Sequence, residues 1–83
     1  MPIATIGRTV HVCGIYSNGS NVHPAVITRV FGTHDTDQGP AAVNLTVFPD
    51  LRPLECHSSV PLYSTEQEAL AAGTVAAFWP ARA

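Results

Sequence analysis

Side chains that alternate strictly between apolar and polar are the feature that most limits what this chain can become. Over residues 7–13, Val10 and Val12 fall on one side and Thr9, His11 and Cys13 on the other. Over 42–48, Val43, Leu45 and Val47 oppose Asn44, Thr46 and Phe48. A period of two marks half-buried β-strands, whose successive side chains point to opposite faces. A third stretch, 25–31, is rich in β-branched residues and sets Val26, Thr28 and Val30 against Ala25, Ile27, Arg29 and Phe31. Turn chemistry separates these strands. Asn18-Gly19 tolerates the positive φ of a tight turn, and Pro49 and Pro53 bracket another. The polar run from Gly32 to Pro40, with His34, Asp35 and Asp37, reads as a loop.

The remaining segments complete a small β fold. Residues 54–62 alternate weakly, and Pro61 lacks a backbone donor, so they are expected to form an edge strand. Residues 74–80 read as a closing strand, with Val75, Ala77 and Trp79 opposite Ala76 and Phe78. One helix is expected over 64–73: Ser64 or Thr65 caps it, Glu66 and Glu68 suit its positive end, and Gly73 stops it. At about two turns it must dock to persist, through Leu70 and the alanines. The expected fold is mainly β: a small, strongly bent antiparallel sheet or open barrel of about five strands with one short helix, a single domain over residues 1–83.

Charge is scarce. Only 12% of the 83 residues are charged, there is no lysine, and the net charge is −2. That balance argues against an electrostatic grip on duplex nucleic acid. No apolar run reaches the ~20 residues of a membrane span, and residues 1–8 lack the basic-then-apolar order of a signal peptide. A domain this small leaves about 40% of its unfolded-chain surface exposed. With so few charges to cover that surface, self-association or attachment to a larger assembly is expected.

Cysteine, histidine and carboxylate patterns offer little chemistry. Cys13 and Cys56 are too few for a disulfide framework and are expected to be reduced thiols. His11, His23, His34 and His57 show no zinc-ligand spacing with them, and adjacent Cys56 and His57 point to opposite faces of a strand. No metal or cofactor is expected. A cysteine–histidine nucleophile would need an orienting group and an oxyanion site that the sequence does not supply. An enzyme is therefore not expected.

The stronger candidates are cationic and aromatic. Arg29 shares its expected face with Ala25, Ile27 and Phe31, an odd setting for a guanidinium unless it pairs with a carboxylate or meets an anion. Arg8 and Arg29 could hold phosphates, the chemistry at which arginine excels. Phe31, Trp79 or Tyr16 could stack a base, and Asn44 could bond its edge or a ribose.

Several segments also occur together in a known group. Gly7-Arg8-Thr9-Val10-His11-Val12, then His23-Pro24-Ala25-Val26-Ile27-Thr28-Arg29-Val30-Phe31, Val43-Asn44-Leu45-Thr46-Val47-Phe48-Pro49-Asp50, Ser58-Ser59-Val60 and the terminal Phe78-Trp79-Pro80 follow in order. The chain resembles a family of small uncharacterised proteins of tailed bacteriophages and prophages, over about two-thirds of its length. It departs from that pattern at Phe31, where tryptophan is usual, at Phe78, and in the helical segment. The resemblance implies a phage protein acting in the host bacterial cytoplasm or in the virion. It carries no activity across.

Three functions follow as expectations. The first is a counter-defence protein that sequesters a host nucleotide immune signal in pockets between copies of a homo-oligomer. The second is a virion accessory protein seated on a capsid or tail protein. The third is an inhibitor that docks on a host enzyme through the 32–40 loop.

Overall fold

The computed structural model describes residues 4–31 and 41–80. The expected loop at 32–40, and with it the docking role assigned to His34, Asp35 and Asp37, lies outside the described residues. Five strands form in order: β1 (Thr9–Ser17), β2 (Ser20–Phe31), β3 (Ala41–Val47), β4 (Glu55–Tyr63) and, after helix α1 (Glu66–Ala71), β5 (Ala76–Phe78). They close into one barrel with neighbours in chain order, β5 returning to β1. Among the described residues no helix is long and apolar enough to cross a membrane.

The barrel is closed, and its sheet is mixed. Ladders β1–β2, β2–β3, β3–β4 and β1–β5 are antiparallel, whereas β4 and β5 run parallel. Helix α1 causes this, because a crossover through a helix brings the chain back in its original direction. β4 therefore pairs on both sides, along its length with β3 and at Leu62 and Tyr63 with β5. Over the rest of its length, residues 55–61, it is the edge strand expected from the sequence.

Alternation places the core as the sequence implies. Val10, Val12, Ile27, Val43, Leu45, Val47, Ala77 and Trp79 fill the barrel. The other face of β1 and β5 is not left to water. Cys13, Ala76 and Phe78 form a second cluster outside the barrel, roofed by Ala69 of α1. The helix docks through fully buried Ala69, while Leu70 remains 47% exposed. A short helix lying this close to a sheet has room for a methyl group where it touches, so the larger side chain turns away. Thr65 caps the helix, its Oγ1 accepting the Glu68 N–H at 3.3 Å.

Three of the four antiparallel ladders carry a register shift. Five short strands can close only by bending hard, and bulges supply that bend. In β1 the shift falls between Cys13 and Ser17, at Gly14 with φ +99. A Cβ on Gly14 would stand 2.8 Å from Val75 Cα and 2.9 Å from the Thr74 carbonyl, so only glycine lets the two segments approach.

Candidate functional site

The bulges on β2 and β4 decide where the candidate residues point. Ile27 pairs with Leu45 and Arg29 with Asn44, leaving Thr28 as an extra residue on β2. Past that insertion the alternation resets. Val30, expected on the face opposite Ala25 and Ile27, packs with them on the barrel core, opposite Val43. Arg29, expected on the face of Ala25 and Ile27, stands exposed on the outer wall. The odd setting read from sequence thus disappears: one inserted residue returns the guanidinium to water.

On the other side of β3 the same thing happens in β4. Val43 pairs with Val60 and Leu45 with His57, so Ser58 and Ser59 together face Asn44. Ser59 has φ +54, and its N–H donates to Asn44 Oδ1 at 3.0 Å. Asn44 therefore sits between two bulges, its carbonyl committed to one of them and its amide donors making no hydrogen bond among the described residues. Around it the outer wall opens into a concavity of about 330 Å³, bordered by Thr28, Asn44, Thr46, Cys56, His57 and Ser58. Three of its lining side chains, Thr28, Thr46 and Ser58, carry hydroxyls. Sequence reading missed all of the lining residues but Asn44, because bulges leave no periodic trace; the Ser58-Ser59 pair in a weakly alternating strand was the available signal.

The other candidates divide between the two ends of the barrel. Arg29 lies over the Phe31 ring, its guanidinium carbon 5.2 Å from the centroid. Phe31 is 37% exposed. Arg8 is tied to the same end, since its carbonyl accepts the Ile27 N–H at 3.0 Å. Its guanidinium covers Trp79 at 5.4 Å. Trp79 is buried in the core cluster, so in the described chain it supports Arg8 and offers no open face. Among the described residues neither Arg8 nor Arg29 is paired with a carboxylate. Tyr16 is well exposed but stands at the opposite end, beside the β1–β2 turn.

That opposite end consumes its polar groups internally. His23 is buried; its Nε2–H donates to the carbonyls of Ile15 (2.9 Å) and Ser20 (3.1 Å), and its Nδ1 accepts the Asp50 N–H at 3.2 Å. Ser17 Oγ donates to the Asp50 carbonyl at 2.7 Å, and Asn18 Nδ2 to the Asp50 carboxylate at 2.8 Å. Arg52 donates to the Tyr16 carbonyl at 3.1 Å and pairs with Glu55, which His57 also bonds at 3.0 Å. The hydrogen bond from His57, opposed by partial desolvation and aided by the charge of Arg52, holds the Glu55 carboxyl below its ordinary range. These residues latch the 48–54 segment onto the hairpin.

The thiols are free and apart. Cys13 is buried beneath α1, and burial pushes its thiol pKa up, which favours the neutral thiol over the thiolate. Cys56 is exposed on the outer wall, with its sulfur 3.9 Å from Thr46 Oγ1. Among the described residues no three histidine, cysteine or acidic side chains gather as metal ligands. His11 packs edge-on against Phe78 instead, at 5.6 Å. Comparison with protein-family models, with curated proteins and with solved structures finds no match.

Proposed function

We propose that this chain binds and sequesters a phosphate-bearing nucleotide on the outer wall of β2, β3 and β4, without turning it over. The observation that carries this reading is Arg29. A bulge sets its guanidinium on the wall, the Phe31 ring lies within cation–π reach of it, no described carboxylate neutralises it, and the concavity begins at its ladder partner Asn44. A guanidinium beside an aromatic ring and without a described carboxylate partner suits bidentate contact with phosphate. The Asn44 amide and the Thr28, Thr46 and Ser58 hydroxyls supply donors and acceptors for a base edge or ribose. Arg8, at the same end, adds a second cation for a ligand carrying two phosphates.

Open on one side, the concavity is at the lower limit of small-molecule sites, about 300–1,000 Å³. A second copy laid over it would enclose the ligand; Tyr16, at the opposite end of the barrel, takes no part in this site. In a phage protein working in the host cytoplasm, the ligand class that fits is the nucleotide signals of bacterial immunity, cyclic dinucleotides and ADP-ribose derivatives. Titration calorimetry against these compounds should give binding, with the ligand recovered intact. Arg29→Ala should weaken it at least tenfold, and Arg52→Ala, at the latched end, should not. Absence of heat with every compound, together with stoichiometric recovery of the chain in purified virions, would replace this reading with the virion accessory role.

A further inference from the structure

We infer that the latched end of the barrel is a self-association surface, on which a second copy of this chain packs about a two-fold axis through Tyr16, Phe48, Leu51 and Leu54. The starting point is Leu51. Arg52 N–H donates to the Pro49 carbonyl at 3.4 Å, closing a four-residue turn whose third position is Leu51, with φ +59. Turns with a positive φ there take glycine or asparagine, which reach that region without steric penalty. Leucine adds strain, and its side chain then stands 81% exposed, more than any other large apolar side chain described. Neither folding nor solubility benefits from that choice. A backbone outlier that the isolated fold does not need points to a use outside it.

Leu51 is not alone. Tyr16 is 74% exposed, Leu54 61% and Phe48 42%. The hydrogen bonds from Ser17 to the Asp50 carbonyl and from Arg52 to the Tyr16 carbonyl fasten the loop to β1, which brings these four exposed residues to the same end of the barrel. The Ser17 hydroxyl, the Asp50 carbonyl and carboxylate and the Arg52 guanidinium already have partners within the chain, so covering them strands none of these groups. At these exposures the four side chains offer on the order of 500 Å² of apolar area, against about 800 Å² per partner in a standard interface. A copy of the chain brings the same area and no more is needed than the flanking polar rim.

Charge selects the occupant. The half-exposed Arg52 and its neighbour Glu55 put both signs at the edge of the patch. A two-fold axis can set each such pair against its copy with unlike charges facing, the self-complementarity an isologous contact requires. An anionic lipid surface would meet Asp50 and Glu55 against one arginine and be repelled.

Sedimentation equilibrium of the full chain over a range of concentrations tests this. The wild-type chain should dimerise. Leu51→Asn suits the positive φ, so its melting temperature should hold, while its dimer dissociation constant should rise at least tenfold. Ile6→Asn, 72% exposed at the other end, should leave the dimer intact. A chain that stays monomeric overturns the inference, whether or not it attaches to phage particles, and so does an oligomer that ignores Leu51→Asn. None of these variants touches Arg29 or the concavity, so loss of the nucleotide reading would leave this result standing.

Discussion

The two ends of this barrel use the same scarce polar residues in opposite ways. At the latched end His23, Ser17, Asn18, Asp50, Arg52, Glu55 and His57 satisfy one another, and what reaches the solvent there is apolar. At the other end the cations Arg8 and Arg29 rest on aromatic rings without a carboxylate partner among the described residues, and the apolar groups lie beneath them in the core. A chain with only ten charged residues cannot waste hydrogen-bonding capacity. Where that capacity is consumed internally, the residues hold the fold; where it is left over, they are available to a ligand. Residue type alone does not separate the two, since each end has arginine, histidine or hydroxyl groups.

The contrast breaks first at Gly14, where β1 turns towards the latched end. Gly14→Ala would drive a Cβ into two backbone atoms of the 74–75 segment, which have no rotamer to yield, and would hold alanine at φ +99. Overpacking and backbone strain together should cost about 3–5 kcal/mol. For a domain this small that is a fall in melting temperature of about 12 °C or more. A melt by circular dichroism that shifts by less than a few degrees would show that the strands can separate there without loss.

His23→Leu sharpens it next. Leucine fills similar space but leaves the Asp50 N–H and the Ile15 and Ser20 carbonyls without their partner. The expected loss is about 2–3 kcal/mol, with faster hydrogen exchange confined to the 48–54 segment and its hairpin. Arg29→Ala is the mirror experiment: stability should stay within about 0.5 kcal/mol, as for an unengaged surface residue, while binding falls. Equal destabilisation by both variants would mean that the wall, too, is structural.

Much of this architecture could be read in advance, and the remainder could not, for one physical reason. Period-two alternation located β1, β3 and β5 and grouped Val10 with Val12, Val43 with Leu45 and Val47, and Ala77 with Trp79 on single faces, which the barrel buries, because burial acts on every residue of a regular strand. The Thr65 cap and the glycine stop were equally local. Bulges are not. Thr28 and Ser58-Ser59 are unremarkable as residues, and only closing the barrel demands an insertion there; each one reverses every face assignment that follows, which is why Arg29 and Val30 exchanged sides. The role of His23 was invisible for the same reason, since its partners Ile15 and Asp50 lie 8 and 27 residues away. Arg8, Arg29, Phe31 and Asn44 gathered towards one end as a candidate set; Trp79 went to the core and Tyr16 to the far end.

The smallest expected effect probes the latch electrostatically. Glu55 is held below the ordinary carboxylate pKa, about 4.3, by the His57 hydrogen bond first and by Arg52 as well. A group whose folded pKa is depressed stabilises the fold fully above its unfolded value and loses that contribution as pH falls through the folded one. The wild-type chain should therefore lose part of the latch only below about pH 4, and Glu55→Gln should flatten that part of the curve while giving a slightly lower plateau at neutral pH. Because the carboxylate is open to solvent, salt should shrink the difference. Thermal melts from pH 3 to 7, in low and high salt, separate this from a general acid response: if Glu55→Gln follows the wild-type curve throughout, the Arg52–Glu55–His57 chain contributes nothing to holding the loop, and the latch rests on His23 and Asp50 alone.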